Sequence, residues 1–136
     1  MQILGISSVG GGINFLVTTM TMRAPGMSLA RLPIFVWMVV VTSVLVVFAT
    51  PVLASVMTML FFDRNLDTHF FDPRGGGNPI LYQQLFWFYS HPAVYIMILP
   101  AMGMVSDIIA CFARKPLFGY KPMVYSIAGI AGLGFI

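Results

Sequence analysis

The sequence predicts an all-α fold, a polytopic bundle of membrane-spanning helices. Three observations carry this. Only 8% of the 136 residues are charged and 59% are hydrophobic, whereas soluble domains carry about 25% charged residues. The charges are also segregated: residues 1–22, 32–62, 75–106 and 122–136 contain no Asp, Glu, Lys or Arg. Finally, the first three of these stretches reach the roughly 20 residues needed to cross about 30 Å of hydrocarbon.

The first helix is expected over about 3–22. Arg23-Ala-Pro-Gly ends it, since proline and glycine stop a helix and arginine marks the interface. It is not a signal peptide, because it lacks a basic start and its glycines, Asn14 and threonines suit a packed helix. The second helix is expected over about 32–62, kinked by Pro51 and closed by Asp63-Arg64-Asn65. Residues 63–80 form a polar loop with the turn-rich end "DPRGGGNP". The third helix covers about 80–112, "ARKPLFGYKP" is the next loop, and a fourth helix spans about 123–136. The last stretch is too short for a full span, so the chain reads as one membrane domain, 1–136, that is an internal fragment of a larger bundle.

Loops 23–31 and 113–121 together carry five Lys or Arg residues, and the middle loop carries Arg64 and Arg74 among three aspartates. The first and third loops are therefore expected inside and the middle loop outside. The net charge of +3 sits in loops. It reflects topology and implies no nucleic-acid partner; the lipid bilayer is the partner that composition implies. Cys111 is alone, which excludes a disulfide framework or a thiolate metal site.

The third helix carries the chemistry. "FWFYSHPAVYIMILP", residues 86–100, places a histidine, two tyrosines, a serine and two prolines inside an apolar run. On the expected topology His91 lies ~15 Å into the membrane, about ten residues in at 1.5 Å each. His91 and Tyr95 are four apart and share a helix face. An imidazole at that depth faces a cavity, a relay or a metal, and imidazole suits copper, zinc and iron. A histidine hydrogen-bonded to a neighbouring helix is the plainer reading, and one histidine cannot close a metal site. Pro92 and Pro100 leave the carbonyls of Phe88 and Ile96 without an N–H partner, to be met by water or a side chain.

"DRNLDTHFFDPRGGGNPILYQQLFWFYSHPAVYIMILPAMGMVS" resembles the catalytic subunit of the haem–copper terminal oxidases (cytochrome c oxidase subunit one), as do "GISSVGGGINFLVTTMTMRAPGM" before it and "FGYKPMVYSIAGIAGLGF" after it. The resemblance covers essentially the whole chain. It implies the fourth to sixth helices and the start of the seventh, within a twelve-helix-type bundle. It further implies oxygen reduction to water coupled to proton movement in a bacterial inner membrane. Copper-B and two haems would be the cofactors, and subunits two and three and cytochrome c the partners. His91 matches the copper-B ligand of the family's His-Pro-x-Val-Tyr motif. Tyr95 matches the tyrosine whose ring is covalently joined to that histidine, and Trp87 an aromatic beside the site. Ser7, Ser8 and Asn14 match polar residues lining a proton channel. Gly10, Gly11 and Gly12 beside them read as packing residues. No haem ligand of the family falls in this chain; His69 sits in the polar loop.

One departure stands out. The family usually reads Gly-His-Pro-Glu-Val-Tyr, where this chain has Ser90-His91-Pro92-Ala93-Val94-Tyr95. The missing glutamate passes protons to the buried site. Tyr89-Ser90 replaces the usual Phe-Gly and resembles a bacterial subclass in which the tyrosine substitutes for that acid. Tyr89 and Ala93 share one face, yet that face lies roughly 160° from the His91–Tyr95 face at about 100° per residue. A water or another helix must connect them. Among rival functions, a transporter also uses broken helices and buried polar groups. Nitric oxide reductases lack the helix-borne tyrosine, and the choice between cytochrome c and quinol as donor lies largely in another subunit.

Overall fold

A computed structural model describes residues 2–135, all helical or irregular. Four α-helices follow in order: α1 over Gln2–Thr21, α2 over Ile34–Asn65, α3 over Pro79–Ala113 and α4 over Tyr120–Leu133. Short 3-10 turns at Leu29–Arg31 and Pro73–Gly75 punctuate the first two connections. The first three helices are long and apolar enough to cross a membrane. The sequence-expected fourth helix ends at residue 136, which lies outside the described residues.

Helix ends follow local chemistry. Asn78 caps α3 by accepting from the Ile80 N–H at 2.9 Å, with Pro79 in the first helical position, where its missing N–H is not needed. α2 continues through Asp63, Arg64 and Asn65. These polar residues are compatible with a last helical turn that has left the apolar layer. α4 begins at Tyr120 with Pro122 in its first turn, a place where proline breaks no hydrogen bond. Inside the spans, hydroxyls satisfy themselves by bonding back one turn: Ser43 to the Val39 carbonyl at 2.8 Å and Ser106 to that of Met102 at 2.8 Å.

α2 is the central helix, packed against α1, α3 and α4. Its Ile34, Met38, Val41 and Leu45, spaced at helical intervals, form one buried seam with Leu99 of α3 and Ile127 and Ala131 of α4. Close approach is set by glycine. A side chain at Gly103 would lie 2.8 Å from the Met38 Cγ and 2.9 Å from the Phe35 Cα, so α3 presses backbone to backbone on the start of α2. Of the three consecutive glycines in α1, Gly12 is the one in contact, 3.3 Å from the Ser43 carbonyl oxygen when given a Cβ. Gly10 and Gly11 meet nothing within 4 Å among the described residues.

Three polar clasps tie the ends together. Asp107 of α3 accepts from the Phe35 N–H at 3.3 Å, filling one of the free donors at the start of α2. Tyr120 donates its hydroxyl to the Leu32 carbonyl at 2.5 Å. At the opposite end, Asp63 accepts from the Thr68 hydroxyl at 2.7 Å and from the Phe70 and Phe71 N–H groups at 2.9 Å each. That clasp folds the 66–78 loop back onto α2. A side chain at Gly75 would collide with the His69 ring, and one at Gly77 with the His69 carbonyl oxygen.

Candidate functional site

α3 presents two aromatic stripes on opposite faces. Trp87, His91 and Tyr95 recur every four residues. The Trp87 and His91 ring centroids are 6.5 Å apart, and the His91 and Tyr95 rings meet edge to face at 4.8 Å with 78° between their planes. On the other face Phe71 from the loop packs edge-on to Tyr82 at 5.3 Å, and Tyr82 stacks on Phe86 at 5.9 Å. Helical spacing puts Tyr89 and Ala93 on the Tyr82–Phe86 face, within about 60° of it. Pro92, Leu99 and Gly103, the buried residues of α3, point between the stripes toward α2.

His91 and Trp87 open on a groove of about 600 Å³ that Gln83, Gln84, Phe88 and Phe135 also line. The groove is closed on one side by the C-terminal end of α4. There Phe135 packs against Phe88 at 5.1 Å, and a Cβ at Gly134 would lie 3.4 Å from the Tyr95 ring. Tyr95 itself is half-buried and packs on the α2–α3–α4 seam. His91 is thus a half-buried imidazole with one edge open to the groove and an aromatic on each side along its helix. Among the described residues, no group of three or more His, Cys, Asp or Glu could hold a metal ion. His69 instead sits exposed in the loop, its Nδ1 3.9 Å from an Asp72 carboxylate oxygen.

The remaining polar residues singled out from the sequence divide. Tyr89 and Ser90 are half-buried next to His91 along the chain. On α1, Ser8 lines a groove of about 570 Å³ that also holds Thr42 of α2 and reaches Pro100 of α3. Ser7 and Asn14, seven residues apart, lie on a different face of α1; Asn14 accepts from Thr18 at 3.3 Å. The structure therefore brings Trp87, His91 and Tyr95 together and leaves the α1 residues at a distance from them. Sequence reasoning missed Thr42, whose Oγ1 is buried without a hydrogen-bond partner among the described residues, facing the α1 packing. Nothing in its apolar neighbourhood in sequence signals it. It also missed Asp107 as a clasp. The signal there was an acid standing directly after a long charge-free stretch.

A family model described as "Cytochrome C and Quinol oxidase polypeptide I" matches residues 1–136. The chain is also 52% identical over 136 residues to cytochrome c oxidase subunit 1 of Cereibacter sphaeroides, an alignment that covers 100% of this chain and 24% of that protein.

Proposed function

Because the chain belongs to the cytochrome c and quinol oxidase polypeptide I family, we propose that it supplies four helices of the catalytic subunit of a proton-pumping terminal oxidase. That enzyme reduces O2 to water with electrons from cytochrome c. It is a multi-pass protein of the bacterial inner membrane, assembled with subunits two and three. The observation that carries this reading is the edge-to-face His91–Tyr95 pair beside an open groove on α3.

The residues present fit one part of a copper site. His91 offers an imidazole nitrogen to the groove, and the further ligands come from outside the described residues, as do those of both haems. Copper-B and haem, when bound, supply the redox chemistry of oxygen reduction. The chain's own residues do the rest. His91 would hold the copper through one imidazole nitrogen, leaving the other for a bond to the Tyr95 ring, which meets it edge to face. Joining the two rings removes two hydrogen atoms, and turnover with O2 supplies that oxidant. Tyr95 would give up the proton of its Oη and an electron from its ring to the O2 under reduction, which takes both up on the way to water. Trp87 walls the site and orients His91. Tyr89 Oη and Ser90 Oγ pass protons toward it, and Ser7, Ser8 and Asn14 hold water farther down the path. A phenol hydroxyl both donates and accepts a hydrogen bond, so Tyr89 relays protons through that group.

The test is His91→Ala in the full-length enzyme. The expected outcome is loss of copper-B and of oxygen consumption with the low-spin haem spectrum retained. Full copper occupancy at that centre with normal turnover would overturn the assignment.

A further inference from the structure

We propose that the groove beside Arg64, at the loop end of α2, seats an anionic phospholipid, with its phosphate on the Arg64 guanidinium and an acyl chain along Phe61. The groove has a volume of about 700 Å³ and runs between the start of α1 and the last turns of α2, lined by Gln2, Thr58, Phe61, Phe62, Arg64 and Asn65. Its depth in the membrane follows from the chain. The helical part of the charge-free run, residues 34–62, spans about 44 Å at 1.5 Å per residue. A bilayer with its headgroup layers measures about 40–45 Å. Arg64 therefore stands at headgroup level, and the groove runs from there past Phe61, 59% exposed, to Met57, two turns below Arg64 at the edge of the hydrocarbon.

The other polar groups of the groove are already engaged. Gln2 donates to the Ala54 carbonyl and the Thr58 hydroxyl, Thr58 donates to the Ala54 carbonyl, and Asn65 donates to the Phe61 carbonyl. Asp63, the acid next to Arg64, has turned both carboxylate oxygens to the loop. Among the described residues the basic side chain within 4 Å of a carboxylate is His69, beside Asp72. Arg64 is thus a guanidinium at the mouth of an apolar groove with no carboxylate within 4 Å among the described residues. Its planar fork of donors matches a phosphate, and the apolar wall beneath selects a phosphate that carries a chain over a free one.

The experiment uses the full-length oxidase complex in nanodiscs containing phosphatidylglycerol with a photoreactive acyl chain, followed by peptide mass mapping. Cross-links are expected within residues 57–65. Arg64→Gln should lower their yield about fivefold, the effect of one basic residue at a charged lipid surface, and Arg64→Lys should retain most of it. Leu60→Trp, which fills the groove and leaves Arg64 in place, should lower it as well. A phosphatidylcholine probe with the same chain should label less. The haem spectrum of each variant reports folding. Equal yields from the wild type and Arg64→Gln, equal labelling by the two lipids, or no labelling of 57–65 because another segment of the protein covers it would each overturn the proposal.

Discussion

At Tyr95 a single oxygen atom separates two chemistries. Tyr95→Phe keeps the ring that packs on the α2–α3–α4 seam and removes the hydroxyl proposed to exchange a proton. The metals should stay and turnover should fall by about 100-fold or more, the scale of a lost acid–base group. Metal analysis and oxygen consumption on the same sample check this, and peptide mapping of the unmutated enzyme should find His91 and Tyr95 in one linked species. Tyr89 poses the opposite problem, because its stripe points away from His91. If it relays protons, Tyr89→Phe should slow proton uptake by about 100-fold, toward the low end for such groups, with metal spectra nearly unchanged. Long side chains on a helix lean back toward the preceding turn, so a carboxyl at position 93 reaches the level of residue 89. Ala93→Glu added to Tyr89→Phe should therefore restore part of the rate. An unaffected Tyr89→Phe enzyme, or strictly additive effects across the four-member cycle, would remove Tyr89 from the path.

Between elements, the α2–α3 contact depends on one missing side chain and one acid. Gly103→Ala puts a methyl 2.9 Å from the Phe35 Cα, and backbone cannot yield as a flexible side chain does. The strain should cost about 1–3 kcal/mol. Asp107→Ala removes a charged acceptor from a free N–H at the start of α2, a loss of about 1–2 kcal/mol. Gly10→Ala, where a Cβ meets nothing among the described residues, serves as the control and should be close to neutral. Thermal unfolding in detergent ranks the three. Much of the helix layout was legible because charge-free stretches and Arg-Ala-Pro-Gly or Asn-Pro punctuation act locally. The clasps were not, since nothing near Asp107 in the sequence names Phe35, and Asp63 reads as a helix stop until its carboxylate is seen bonded to 68–71. Likewise Gly75 and Gly77 read as turn residues, whereas the constraint is the space taken by His69.

For the molecule as a whole, the proposed copper site needs more ligands than the described residues place beside His91. The His91–Tyr95 pair was legible from its spacing, because i and i+4 must meet on a helix. The groove on which His91 opens was not, because it exists only where α4 returns across α3 at Phe88 and Phe135. That same geometry leaves Trp87 64% exposed while Tyr95 is half-buried on the α2–α3–α4 seam, so the Trp87 end of the stripe faces outward from these four helices. Across the groove the described residues place no second imidazole: the other histidine is His69, in the 66–78 loop, its Nδ1 3.9 Å from an Asp72 carboxylate oxygen. A haem held in a helix bundle needs an axial ligand on the helix that faces it. The 136-residue chain expressed alone in detergent should therefore fold its helices, give the circular dichroism of an α-helical protein, and fail to bind haem stoichiometrically in an optical titration. Copper should bind weakly, because one imidazole offers no chelate, and the binding that remains should disappear in His91→Ala. A one-to-one haem spectrum from this chain alone would mean that its own residues complete a haem site, and would overturn the view that the site's other half comes from elsewhere.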